Sequence, residues 1–567
     1  ELERRYAERI PARSGDWTPY WEDGAGSSAR ETVMNRRSAD RLTQAQALWA
    51  MFAPERWPVA HADEAWKKVL LYTEHTWGAW NSVSQPELPF VANQWAIKRG
   101  YAEEAAALST QIFESARERS GPAGSIDVVN TLSWARTDVV RVPAAMSAGG
   151  DRVVGPDGKA VPSQRLSSGE LAVLVQDLPP FSSRRFRLVA GRAAAPRESA
   201  ARVNGLQLTN GRVSALVDEA TGGVTKLEAA GDGRNFVDTA RGESLNSYLF
   251  MVGKDPGQAQ RSGPGTVAAV DRGPLLATLR VESSAPGARR LVRDVTLIAG
   301  SDRLDFATTV DKSRAPAGPK GDYYGDASKE SVNLAFPFDV EGGQVRMELP
   351  LGGVIRPDIE QMAGSCKNWF TIGSWTDVSA PGRGVTLISP DAPLLQVGGL
   401  TANLLNSQSD PRVWRASAGS STNLYPWLMN NHWGTNYRAY QEGPVTFRFA
   451  VRPHQGYDPA AATRAATGMS QPLLVFPAAG SAPAGESRLR LSTEDVVVTG
   501  FKPADDGGGW IVRLYNVSGT DARVSLSWSS PVPSALRVSD TSERRGAIVD
   551  GPVPVPAWGV ATLRAER

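Results

Sequence analysis

The sequence predicts an α+β, mainly β protein: an N-terminal three-helix bundle followed by antiparallel β-sandwich domains. Three observations carry this. Through about the first 120 residues, apolar side chains recur three and four apart, the period of a helix. From Gly121 onward that period gives way to short β-branched runs broken by turn dipeptides, the pattern of sandwiches. At 567 residues the chain is also longer than one hydrophobic core can serve, so several domains follow.

Taken in order, residues 1–13 read as the charged tail of a helix. Residues 14–30, SGDWTPYWEDGAGSSAR, read as a loop punctuated by Gly, Pro and Ser. Its aromatics Trp17, Tyr20 and Trp21 either form a binding surface or pin the loop to the core. A first helix spans 30–53, with Leu42, Ala45, Trp49 and Phe52 on one face, and Pro54 and Pro58 end it. A second starts near Asp63 and carries Trp66, Leu70 and Thr73 along a stripe. A third covers 94–118, with Tyr101, Ala105, Leu108 and Ile112 together.

The β region opens with VVNTLSW (128–134) and VVRVPA (139–144). AAAPRESAA (193–201) reads as a linker. Asn210-Gly211 and Thr221-Gly222-Gly223 mark hairpin turns between strands of 206–227. Further strands are expected at 277–282, 291–298, 303–310, 345–350, 384–388 and 445–452.

Composition narrows the function. The 62 basic and 60 acidic residues nearly cancel and form no basic stripe, so neither nucleic acid nor an anionic membrane surface is suggested as a partner. No apolar run reaches membrane-spanning length, which argues against a membrane span. Cys366 is the single cysteine, which excludes an internal disulfide and leaves the compartment open. Motifs for a serine nucleophile elbow, a phosphate loop, a dinucleotide fold or a zinc protease are missing.

Three stretches suit a carbohydrate. LLYTEHTWGAWNSVSQ (70–85) sets His75 beside the carboxylate Glu74 and the aromatics Trp77 and Trp80. An imidazole can ligate a metal, and aromatic planes stack on sugar rings; equally, a lone histidine can be a hydrogen-bonded structural residue. WLMNNHWGTNYRAYQEG (427–443) offers Asn431 and Trp433 among amides that both donate and accept, or else a polar loop satisfying its own backbone. SLNSYLFMVG (244–253) carries Tyr248, a phenol for a ligand or a strand residue. The four histidines, His61, His75, His432 and His454, are far apart in sequence, so a metal site would need carboxylates brought in by folding.

The order of these pieces resembles the C-terminal two-thirds of the glycoside hydrolase family 38 α-mannosidases, most closely the bacterial ones. The resemblance runs through residues 14–30, 70–85, VVNTLSWARTDVVRV (128–142), LNSYLF (245–250) and DVVVTGFKPADDGGGWIVRLYN (495–516). It implies a catalytic α/β barrel upstream, with nucleophile and acid/base both outside this chain. It implies one zinc ion, shared between that barrel and His75. It matches Trp21 to an aromatic lining the sugar pocket and Tyr248 to a tyrosine reaching the bound mannose. Two positions depart from the family motif: Glu74 stands where the family has His, and Thr76 where it has Asp. Glu74, Asn431 and Trp433 complete the expected substrate contacts.

The expected divisions are a barrel remnant and loop at 1–29, the bundle at 30–120, a small β-domain at 121–200, a large sandwich at 201–458 and a C-terminal sandwich at 470–567. The expected activity is that of a metal-dependent retaining glycosidase acting on α-mannosides or related glycans. The rival is a non-catalytic carbohydrate-binding or scaffold protein.

Overall fold

The helical period of the N-terminal region is realised as three long helices, and each buries the stripe its neighbours can cover. The computed structural model describes residues 1–11, 15–16, 22–116, 124–350, 353–402, 414–483 and 485–567. After a short helix α1 (Leu2–Tyr6), helix α2 (Ala29–Phe52) buries Leu42, Ala45, Leu48 and Trp49, while Phe52 at its end stays exposed. Pro54, one residue further on, cannot continue the backbone ladder. Helix α3 (Val59–Thr73) starts after Pro58, four residues before Asp63. Its buried stripe is Ala62, Ala65, Val69 and Tyr72, so the expected stripe is rotated and Leu70 faces outward. The reason is close packing: alanines at 62 and 65 let α3 approach its neighbours where larger side chains would hold it off. Helix α4 (Pro89–Ser115) starts with Pro89 in its first turn, where a missing N–H costs nothing.

Beyond the bundle, every strand ladder among the described residues is antiparallel, so no parallel α/β barrel is present there. The large sandwich packs a nine-stranded sheet on a six-stranded one. The nine-stranded sheet includes Leu276–Ala285, Ala288–Ile298, Leu304–Lys312, Gln344–Leu349, Arg383–Ile388 and Gly443–His454, which contain the expected strands to within a residue or so. Val, Leu and Phe side chains from both inner faces fill the space between. Both hairpin signals hold: Gly211 and Gly222 turn at φ 80° and 65°, where an L side chain is strained.

One boundary differs from expectation. Strand Leu474–Pro477 pairs antiparallel with Ser125–Asn130, so it belongs to the small β-domain and not to the C-terminal sandwich. Between the two sandwiches, the alanine-rich stretch forms helix α5 (Pro459–Ser470), capped by Asp458, whose carboxylate accepts from the Ala461 N–H at 2.9 Å.

Helix α2 is the axle of the molecule. Arg36 donates to the Pro390 and Gly373 carbonyls at 2.7 and 2.6 Å, and Arg37 pairs with buried Asp391 at 2.7 Å, tying α2 to the large sandwich. Gln44 donates to the Pro472 carbonyl at 2.9 Å, next to the small β-domain. Trp510 of the C-terminal sandwich donates to the Ala50 carbonyl at 3.0 Å. No helix among the described residues is long and apolar enough to cross a membrane.

Candidate functional site

Helix α3 ends at Thr73, and the next two residues form the site's edge. Glu74 is extended, with its N–H still bonded to the Leu70 carbonyl at 3.0 Å. Lys98 of α4 closes this helix end from inside. Its Nζ donates to the Leu71 and Glu74 carbonyls at 3.0 and 2.5 Å, and the positive charge suits a helix C-terminus. The same ammonium lies 4.7 Å from the Trp77 ring centre and 3.7 Å from Glu74 Oε2.

Glu74 in turn fixes His75. Its Oε1 is 3.0 Å from His75 Nδ1 and accepts from Thr76 Oγ1 at 2.8 Å, and its Oε2 accepts the Thr76 N–H at 3.1 Å. Partial burial works against the Glu74 charge, but the bonds from Thr76 and the charges of Lys98 and His75 outweigh it and hold the carboxyl below its usual range. A carboxylate beside Nδ1 orients the ring and turns Nε2 away from it, an arrangement also found around metal-bound histidines.

His75 opens onto a cavity of about 530 Å³ between the bundle and the large sandwich. Tyr72 and Trp77 form one wall, Leu394 the other, and Glu22 stands at the turn that precedes α2. That turn, Glu22–Ser28, is built on glycines. A Cβ at Gly24 would lie 1.8 Å from the Tyr437 ring, and one at Gly26 would lie 3.1 Å from Asn430 Cβ. Ser28 Oγ and Thr32 Oγ1 each lie 2.9 Å from the Tyr72 hydroxyl, fixing that ring against the turn.

Beneath Glu22, Asp23 is fully buried. It accepts from Trp433 Nε1 and from Asn430 Nδ2, while its Oδ1 has no hydrogen-bond partner among the described residues. Burial pushes its carboxyl up to about 8 against the pull of the Trp433 and Asn430 bonds, so it is neutral at moderate pH.

The residues singled out in the sequence divide accordingly. Glu74 and His75 lie at the cavity edge. Asn431 and Trp433 do not line it; both are buried supports. Asn431 donates to the Arg438 carbonyl at 3.0 Å and accepts from Gln441 Nε2 at 2.8 Å, and Gln441 also donates to the Gly26 carbonyl at 2.8 Å. Trp433 holds Asp23 and packs on Tyr437 with ring centres 4.7 Å apart. Their polar groups are spent on the fold, which is why neither faces a ligand.

Tyr248 is not brought to the site either. It is fully buried in the sandwich core, and its hydroxyl donates to the Pro286 carbonyl at 2.7 Å. Trp21, with Trp17 and Tyr20, falls outside the described residues. The other histidines stay apart. His454 pairs with Asp377 at 2.7 Å, His61 is on the surface, and burial together with the Lys329 charge drives His432 down to about 3, so it is neutral.

Three residues at the site escaped the sequence reading. Lys98 gives no local signal, since a lysine in a helix normally faces water. Glu22 and Asp23 were legible only as two adjacent acids within an aromatic loop.

The described residues hold no group of three or more metal-ligating side chains. Of the residues at the cavity edge, His75, beside Glu74, has the chemistry to give a metal one ligand.

Residues 208–392 match the model of the glycosyl hydrolases family 38 C-terminal domain, and 495–555 match that of the glycosyl hydrolases family 38 C-terminal beta sandwich domain. The chain carries the C-terminal domains of glycosyl hydrolase family 38. Its fold is that of solved proteins of this family. An alpha-mannosidase from Enterococcus faecalis V583 superposes with a TM-score of 0.72 at 15% identity, covering 99% of this chain and 71% of that one. A second family 38 protein from Enterococcus faecalis gives 0.70 at 16%, covering 99% and 73%. No curated protein sequence matches. Within the family 38 fold, the cavity lies between the helical bundle and the first of the two matched β regions, with Thr371 also lining it.

Proposed function

We propose that this chain is the C-terminal portion of a metal-dependent retaining glycoside hydrolase acting on α-mannosides or related glycans. One observation carries the proposal: an imidazole oriented by a carboxylate on Nδ1 stands at the edge of a cavity between the bundle and a family 38 β-domain. His75 would contribute one ligand to zinc, the other ligands coming from a barrel domain upstream. Zinc, when bound, keeps open positions for substrate oxygens and polarises them.

The chain's own residues do the positioning. Lys98 holds the end of α3, Glu74 holds the imidazole, and Tyr72 and Trp77, packed on each other, give the cavity an apolar wall. A retaining glycosidase needs two carboxyl groups about 5 Å apart. Glu22 and Glu74 are not assigned to that pair; the nucleophile and the acid/base are proposed to come from the barrel.

The test is the product of the whole gene, assayed on an aryl α-mannoside with and without a chelator, beside its His75→Ala variant. The expected result is chelator-sensitive hydrolysis, with the variant losing both activity and bound zinc. Unchanged zinc content in His75→Ala would remove the ligand role. Glycan binding that survives chelation, in a gene product without hydrolytic activity, would replace this proposal with a non-catalytic carbohydrate-binding function.

A further inference from the structure

The turn that follows His75 turns one tryptophan inward and one outward. Trp77 is buried against Tyr72 and Tyr437, with ring centres 5.9 and 5.8 Å away. Trp80 is 75% exposed and is not part of the cavity wall. Tryptophan is a costly side chain to leave in water, and the backbone that carries this one is held in place. Its backbone is clamped to the loop that follows Trp433. Thr435 Oγ1 donates to the Trp80 carbonyl at 2.8 Å, and the Asn436 N–H donates to the Ala79 carbonyl at 3.3 Å. Gly78 lies so close that a Cβ there would sit 3.1 Å from the Asn436 carbonyl oxygen.

A second exposed ring stands on the neighbouring segment. The Tyr323 N–H donates to the Val83 carbonyl at 3.0 Å, and the next residue, Tyr324, is 53% exposed. Polar groups lie beside the Trp80 backbone: the Thr435 hydroxyl, which bonds the Trp80 carbonyl and lies 3.2 Å from Asn436 Oδ1, and the Asn436 side chain, both half-exposed, with Asn436 held at φ 63°, a left-handed conformation that asparagine tolerates.

We propose that Trp80 is a stacking platform for a pyranose ring of a neutral oligosaccharide, with Tyr324 and the Thr435–Asn436 edge extending it into a subsite separate from the His75 cavity. An indole takes the CH face of a sugar, while a hydroxyl and an amide serve its ring hydroxyls. The rigid seat removes part of the ordering cost of binding. Trp80 lies five positions after His75, and with Tyr324 the platform offers more than one ring. The preferred ligand is thus an extended glycan and not a simple glycoside. The sugar's identity as mannose rests on the function proposed above; the platform does not.

The test is calorimetric titration of the 567-residue chain with α-linked mannotetraose, cellotetraose and xylotetraose, and with methyl α-mannoside as a single-ring probe. One tetraose should bind more tightly than the single ring. Trp80→Ala should weaken it roughly tenfold or more, and Trp80→Phe should recover most of the loss. Because the side chain is exposed, both variants should melt with the parent. If no tetraose binds, or if Trp80→Ala leaves its affinity unchanged, the platform is wrong. A Trp80-dependent preference for cellotetraose or xylotetraose would keep the platform and overturn the mannoside assignment.

Discussion

The ammonium of Lys98 lies 2.5 Å from the main-chain oxygen of Glu74, where helix α3 gives way to the turn bearing His75. A buried cation is thereby placed on the last carbonyls of a helix, and the backbone leading to the imidazole is held from beneath. Burial lowers the Lys98 ammonium to about 8, with Glu74 pulling the other way. Lys98→Met keeps the stem and leaves the Leu71 and Glu74 carbonyls without their donor. The expected loss is roughly 1–3 kcal/mol in urea unfolding, with faster amide exchange confined to residues 74–77. A variant as stable as the parent, with unchanged exchange there, would contradict the role.

Glu74→Gln tests the next link. The amide can still accept from Thr76 but no longer carries the charge that orients the imidazole. In the whole gene product, zinc affinity is expected to fall by about 10–100-fold with little change in melting. Equilibrium dialysis against a zinc buffer reads this directly, and equal affinity would exclude the orienting role.

Asp23 sets a pH dependence of stability. Its carboxyl is pushed up to about 8 in the fold from an ordinary 3.8, so between these values the folded state binds more protons than the unfolded one. The stabilisation is complete below the unfolded value and is lost as pH rises toward 8. Unfolding free energy should therefore fall from pH 5 to pH 9, and Asp23→Asn should flatten that fall and exceed the parent at pH 9. Parallel pH profiles would show that Asp23 is ionised in the fold.

Gly24→Ala probes the turn that carries Glu22. The added methyl would lie 1.8 Å from the Tyr437 ring, so either the ring or the turn must move. The expected cost is about 1–3 kcal/mol, with Trp433 fluorescence shifting as its partner Asp23 is displaced. Unchanged stability would mean that the turn and the Tyr437 ring are not in contact.

Asp391 anchors α2 to the sandwich wall of the cavity. Burial opposes its charge, but bonds and charges from Arg448 and Arg37 hold its carboxyl down to about 2. Asp391→Asn leaves both guanidinium groups facing an amide. With the arginines about a third exposed, the expected loss is about 2–4 kcal/mol, less than for a pair closed to water. A chemical melt at pH 7 measures it, and a loss under 0.5 kcal/mol would show that the anchor is dispensable.

How far the sequence could be read depended on the kind of signal. Periodicity located all three long helices, but not which stripe of α3 is buried, because small Ala62 and Ala65 win that face through close approach. Turn dipeptides located the hairpins, since Gly211 and Gly222 are needed where they stand. Amide- and aromatic-rich composition drew attention to Asn431 and Trp433 but could not show that their bonds are consumed by Arg438, Gln441 and Asp23. Tyr248 matched a motif, yet its strand Ser247–Val252 lies deep in the sandwich. Lys98 became visible only once α3 and α4 were packed together.

The pairing of Leu474–Pro477 with Ser125–Asn130 bears on how this chain is made. Strand Ser125–Asn130 leaves the ribosome well before its partner, which follows only after the entire large sandwich has been translated. Until then one of its edges has no neighbour, a template for sticking to another nascent chain. Contacts this distant in sequence also form late and slowly. Truncation just before Leu474 should therefore yield a polypeptide that aggregates although the large sandwich is complete, and the minimal expressible unit should extend past Pro477.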